Sequence, residues 1–154
     1  MAIEKVREYF KQFGIEDKIQ ELKNSSATVE LAAKALNTEP ARIAKSLSFK
    51  VEEKAILIIC AGDVKIDNAK YKALFKAKAK MLTPDEVVEF IGHEIGGVCP
   101  FGINEGVNVY LDESLKRFRT VFPACGSSNS AIELTIPELE KYSNYTQWVD
   151  VCKG

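Results

Sequence analysis

The segment best suited to chemistry is GGVCPFG at 96–102, a cysteine set among three glycines and a proline. Glycine permits positive φ and lets a ligand approach the main chain closely, while Pro100 fixes its own φ and turns Cys99 toward an extended conformation. Main-chain N–H groups held that way bind a phosphate or a developing oxyanion. A second chemistry makes the Cys99 thiol a nucleophile, with His93, the only histidine, as its base six residues upstream. The plain alternatives are a tight turn for the loop and, for His93, an interaction with the last carbonyls of its helix.

Lys45 is the other candidate. From this residue the pattern has period two: Lys45, Leu47, Phe49 and Val51 share one parity, Ser46, Ser48 and Lys50 the other. A half-buried strand with that pattern turns Lys45 toward the apolar side, where an ammonium needs a partner or a ligand pocket. The stretch from Lys65 to Lys80 holds six lysines against Asp67 alone. It is either a phosphate-tracking patch or a solvated helix face followed by a lysine-protected strand edge. GSSNS at 126–130 suits a turn or a small polar pocket.

Other chemistries are excluded. GGVCPFG lacks the lysine of a phosphate-binding GxxxxGK[ST] loop, and no GxGxxG occurs. The four cysteines form no CxxC pair, so a structural metal site is not expected, nor is any cofactor. Cys60 ends an apolar run and reads as a buried hydrophobe; Cys99 and Cys125 sit in expected loops where exposure is open to them.

The elements that must position these residues follow from length and pattern. At 154 residues with 46% hydrophobic content, one compact domain over 1–154 is expected. With 21 basic and 22 acidic side chains the net charge is −1, so attraction to nucleic acid must be local. The charged N-terminus and the lack of a long apolar run lead to the expectation of a cytoplasmic protein without a membrane partner.

Apolar residues at 3, 6, 10 and 13 predict a first helix stopped by Gly14. Thr28 is expected to cap a second helix over 29–36, and Thr38 with Pro40 a third running to Ala44. Strands are expected at 45–51 and 55–60, joined as a hairpin. Asp67 should cap a helix to Phe75, with an edge strand at 76–81 after it. Two capping boxes, at Thr83 to Glu86 and Thr135 to Glu138, open further helices, the first closed by Gly92. Further strands are expected at 107–112, 119–124, 131–134 and 147–151. Helices and strands without regular βαβ spacing give an α+β domain on a mixed, largely antiparallel sheet.

Several ordered segments together resemble one family: SSATVELAAKAL at 25–36, PARIAKSLSF at 40–49, AGD at 61–63, GGVCPFG, VYLDESL at 109–115 and ACGSSNSAIEL at 124–134. They are similar to the free-standing aminoacyl-tRNA editing domains of the YbaK, EbsC and ProX group, also found inserted in bacterial prolyl-tRNA synthetases. The resemblance implies a curved sheet flanked by helices. It also implies hydrolysis of the ester of a mischarged aminoacyl-tRNA without a metal or a protein nucleophile.

It further implies Lys45, Gly97 and Gly102 as the catalytic set, with Lys45 holding the substrate's 3′ end and the loop stabilising the oxyanion. Gly96, Cys99, Pro100, Phe101, Gly126 and Ser127 would form the substrate-binding surface, with no chemical role carried onto Cys99. On its phosphate-tracking reading, the lysine-rich stretch would contact tRNA through Lys70, Lys72, Lys76 and Lys78, and a synthetase is a candidate partner. Physical reasoning agrees: an aminoacyl ester is already activated, and one preorganised donor contributes about 2.7–4 kcal/mol to lowering the barrier. A Cys99-dependent thiol hydrolase and a non-catalytic module that binds tRNA or a synthetase are the rival expectations.

Overall fold

The structure, a computed structural model, describes residues 2–154. Helix α1 (Ala2–Lys11) buries Val6 and Phe10, and Gly14, at φ +70°, ends the turn behind it. A short β1 (Gln20–Glu21) follows, which the polar sequence there did not signal. Thr28 caps α2 (Val29–Leu36) as expected, its hydroxyl accepting the Leu31 N–H.

The third helix is a single 3-10 turn, Pro40–Arg42, capped by Glu39 without a side-chain bond, and Thr38 does not cap it. Ile43 is already extended, so β2 (Ile43–Val51) begins earlier than the polarity alternation does. Its two first residues pair with another strand, and that pairing overrides the helix signal.

β2 and β3 (Lys54–Ala61) form the expected hairpin, with Lys45 opposite Cys60 and Ser48 opposite Leu57. β3 is the sheet's centre: Leu57, Ile58 and Ile59 are all fully buried, each contributing about 1.5–3 kcal/mol. β4 (Lys65–Ile66) leads to α3 (Asn68–Phe75), where Asp67 accepts the Ala69 and Lys70 N–H groups. The segment after it is not a strand. It meets β2 at one point, Phe49 opposite Met81, because Lys76 turns left-handed at the end of α3 and only Lys80 and Leu82 reach the β2 backbone.

The Thr83 capping box is complete and opens α4 (Pro84–Glu86), which runs on as a π-helical turn, Val87–Ile91, closed by Gly92 at φ +96°. β5 (Asn108–Asp112), a 3-10 turn over Glu113–Arg117, and β6 (Thr120–Pro123) come next. The expected strand at 131–134 is two short ones, β7 (Ser130–Ala131) and β8 (Leu134–Thr135), which pair with β1 and β6 respectively. The second capping box opens α5 (Ile136–Ser143), and β9 (Gln147–Val149) and β10 (Cys152–Lys153) replace the single last strand.

The main sheet has the order β8-β6-β2-β3-β5-β9. It is mixed: its longest ladder, β2 with β3, is antiparallel, while β6, β5 and β9 join by parallel pairings. Both faces are covered. One carries Leu57, Ile59, Phe10, Cys99 and Phe101; the other carries Phe49, Ile58, Cys60 and Tyr71. Ser46 and Ser48 therefore face the first core cluster rather than water, and Ser48 is only 6% exposed.

Candidate active site

β2 pairs with β6 only through Ile43 and Ala44 and meets Met81 only at Phe49. Between those contacts its edge opens onto a cavity of about 350 Å³, walled by Lys45, Ser46, Leu47 and Ser48 together with Ala27, Gly96, Val98 and Ser130. Ile95 and Met81, large apolar side chains that are mostly exposed, also border it.

Lys45 is half-buried, and its Nζ donates to the Val64 carbonyl. Among the described residues no carboxylate forms an ion pair with it, so its charge is held in place by a neutral acceptor. The next acidic group, Asp63, is engaged elsewhere: Arg117 binds both its oxygens, at 3.0 and 2.6 Å. That guanidinium holds the Asp63 carboxyl below its usual range, with a smaller pull from Lys45.

The sequence segments around Lys45 interlock. A Cβ on Gly62 would lie 2.2 Å from the Pro40 carbonyl oxygen, so only glycine lets the AGD turn pass beneath the PAR turn. Ser114 accepts the Ala61 N–H, and Asp112 accepts the Ser114 and Val151 N–H groups. VYLDESL therefore braces the end of β3, and through it the backbone that positions Lys45.

At the other end, three segments converge. The Ser26 N–H donates to the Ser128 carbonyl at 2.6 Å, and the Gly126 N–H donates to the Gly97 carbonyl at 3.0 Å. A Cβ on Gly97 would meet the backbone of Gly126 and Ser127 at 2.6 Å. Gly96, at φ +96°, sits against Ala27 and Ser128 and lines the cavity.

The structure thus brings Lys45 and Gly96 to one cavity and places the other expected residues behind it. The Gly97 N–H donates to the Glu94 carbonyl, whereas among the described residues no backbone acceptor takes the Gly96 or Val98 N–H. Gly102, at φ +63°, packs against the Lys5 carbonyl of α1, and Gly126 against that of Ala2. Cys99 and Phe101 are fully buried and Pro100 is buried, so they support the loop and offer no surface to a substrate. Ser127 bonds to Ser130 and Asn129.

Cys99 and Cys125, open to exposure in the sequence, are both fully buried. The Cys99 sulfur is 3.5 Å from His93 Nε2, but that nitrogen is 2.8 Å from the Phe101 carbonyl. A carbonyl only accepts, so Nε2 carries the proton and cannot take one from the thiol. His93 therefore binds the loop rather than the carbonyls of its own helix. Burial pushes the Cys99 thiol up to about 12 and the imidazole down, the opposite of an activated pair.

Of the lysine stretch, Lys70 binds Asp150 and the Cys152 carbonyl, whereas Lys72 and Lys78 flank a separate surface depression with Asn68. Lys76 caps α3 in a left-handed conformation. Among the described residues, no three His, Cys, Asp or Glu side chains gather as for a metal ion, and no helix is long and apolar enough to cross a membrane.

Ser46 and Ser48 are the wall residues that sequence reasoning missed, because alternation with apolar neighbours reads as a solvent face. The signal was next door: β3 is apolar on both faces, so the sheet it centres is covered on both.

An open-edged strand carrying an inward lysine, facing a glycine loop across a cavity, defines a class. The chain belongs to the aminoacyl-tRNA editing domain family, whose model matches residues 23–142. Protein YwhH of Bacillus subtilis (strain 168), itself uncharacterized, is 56% identical over 154 residues, 99% of this chain and 98% of its own length. A proline–tRNA ligase of Geobacillus sp. (strain WCH70) is 28% identical over 125 residues, which are 80% of this chain and 22% of the ligase. A solved structure described as a candidate trans-editing enzyme for prolyl tRNA synthetase has a TM-score of 0.88 at 32% identity, with 99% of this chain and 98% of that one covered.

Proposed function

We propose that this chain is an aminoacyl-tRNA deacylase acting in trans. Water adds to the ester carbonyl of a mischarged tRNA, the bond to the terminal ribose oxygen breaks, and the free amino acid and the 3′-hydroxyl of the tRNA leave. Lys45 holds the substrate's 3′ end, and amides of the 96–102 loop stabilise the oxyanion. The observation that carries this reading is Lys45 itself, half-buried, lining the cavity that Gly96 also lines, and free of any ion pair among the described residues. A cation fixed in advance costs no reorganisation when charge develops in the transition state.

Within the loop, the donors in this reading are the Gly96 and Val98 amides, with Gly97 and Gly102 setting the loop's path. Cys99, Pro100 and Phe101 support it from below, while Gly126 and Ser127 form its seat. Lys72, Lys76 and Lys78, all exposed, are the contacts for the acceptor stem in this reading, and a synthetase is a candidate partner that delivers the tRNA. A thiol mechanism finds no support in a buried Cys99 whose histidine neighbour presents a proton rather than a lone pair.

The test is release of amino acid from a panel of mischarged tRNAs by the isolated chain. Turnover of at least one ester above the buffer rate is expected. Tight binding of tRNA with no ester cleaved would replace the enzyme with a binding module.

A further inference from the structure

Five residues with hydroxyl side chains line the cavity: Ser26, Thr28, Ser46, Ser48 and Ser130. Three are engaged. Ser26 donates to the Ser128 carbonyl, Thr28 accepts the Leu31 N–H, and Ser130 is bonded with Ser127. Ser46 is not: its Oγ is shielded from solvent and has no partner among the described residues. Ser48 lies two residues along on the same face of β2, 6% exposed, in the same wall. The surroundings are apolar, with Ala44, Leu82, Val87, Val98 and Ala131 completing that side.

An unpaired hydroxyl in an apolar wall is costly in an empty protein and discriminating in a loaded one. A ligand that draws the Ser46 hydroxyl round toward the cavity and bonds to it relieves the cost, and a ligand of the same shape lacking the polar group leaves it in place. Lys45 and Ser46 are adjacent with side chains on opposite faces of a strand whose edge is open. A substrate held by Lys45 at its 3′ end therefore lays its acyl group across that edge onto the serine side.

We infer that Ser46 and Ser48 read the side chain of the aminoacyl group, and that the preferred substrate is the ester of a small β-hydroxy amino acid, serine or threonine. This assignment rests on the deacylase reading above and narrows it.

The experiment compares seryl with alanyl and threonyl with valyl esters, all carried on one tRNA, for the wild type and a Ser46→Ala/Ser48→Ala double variant. The wild type is expected to favour each hydroxyl ester by about tenfold or more in kcat/KM, and the double variant to bring both ratios toward unity. Equal wild-type rates within each pair overturn the assignment. So does a preference that survives in the double variant, which would place the recognition elsewhere. Each substitution removes a single oxygen, and a melting curve checks that the variant folds.

Binding of non-hydrolysable 3′-amide analogues, seryl- and alanyl-aminoadenosine, separates the two layers of the argument. A seryl preference in binding, lost in the double variant, supports the serine assignment even if no ester is turned over, an outcome that would sink the deacylase reading alone. Turnover without preference in either assay does the reverse.

Discussion

At the scale of single residues, the proposed chemistry rests on a lysine and not on the thiol that first draws attention. Strand parity made Lys45 legible, since the same alternation that placed Leu47 and Phe49 inward placed it with them. That parity could not show that Cys99 is buried, because burial of a loop residue depends on what α1 lays over it. The Cys99 thiol should resist iodoacetamide in the native protein at pH 8 and react only on unfolding; rapid native alkylation would contradict its burial. Its titration gives a second check. A thiol whose folded value is raised to about 12 contributes stability that is full below the unfolded value of roughly 8.5 and is lost as pH rises toward the folded one. Denaturant midpoints of the wild type should therefore fall relative to Cys99→Ala across that window, and parallel curves would refute this. His93 has the opposite sign: its lowered folded value gives stability present above roughly pH 6.5 and lost as the pH falls through it.

At the scale of elements, the clearest sequence signals were those with a local cause. Both capping boxes, the Asp67 and Thr28 caps and the β2/β3 hairpin depend on neighbours in the chain, and each forms as the sequence predicts. The failures depend on distant partners. Thr38 and Pro40 read as a helix start, yet β6 draws Ile43 and Ala44 into the sheet. Lysines alternating with alanines read as a strand at 76–81, yet the segment meets β2 only at its end, in one bridge at Met81 flanked by bonds at Lys80 and Leu82. That missing edge is what leaves the cavity open, so the candidate site lies where local signals give out. The glycine loop belongs to this scale too. Gly97→Ala should destabilise the fold by about 1–3 kcal/mol, because its Cβ meets backbone that no rotamer change can move. It should also lower deacylation more than the loss of folded protein explains. A variant with wild-type melting and activity would show that the loop does not need that close approach.

At the scale of the whole molecule, a net charge of −1 leaves nucleic-acid attraction to local surfaces, and Lys72 and Lys78 are the lysines of the 65–80 stretch that flank a surface depression. Affinity for tRNA should fall log-linearly with salt, and a Lys72→Ala/Lys78→Ala variant should show a slope shallower by about one to two. An unchanged slope would move the tRNA to another face. The proposed role of Lys45 is read out most directly by single-turnover deacylation of a cleaved ester by Lys45→Ala. Lys45→Ala should lose about a hundredfold or more in rate with melting close to that of the wild type. Deacylation by that variant at the wild-type rate would contradict that role.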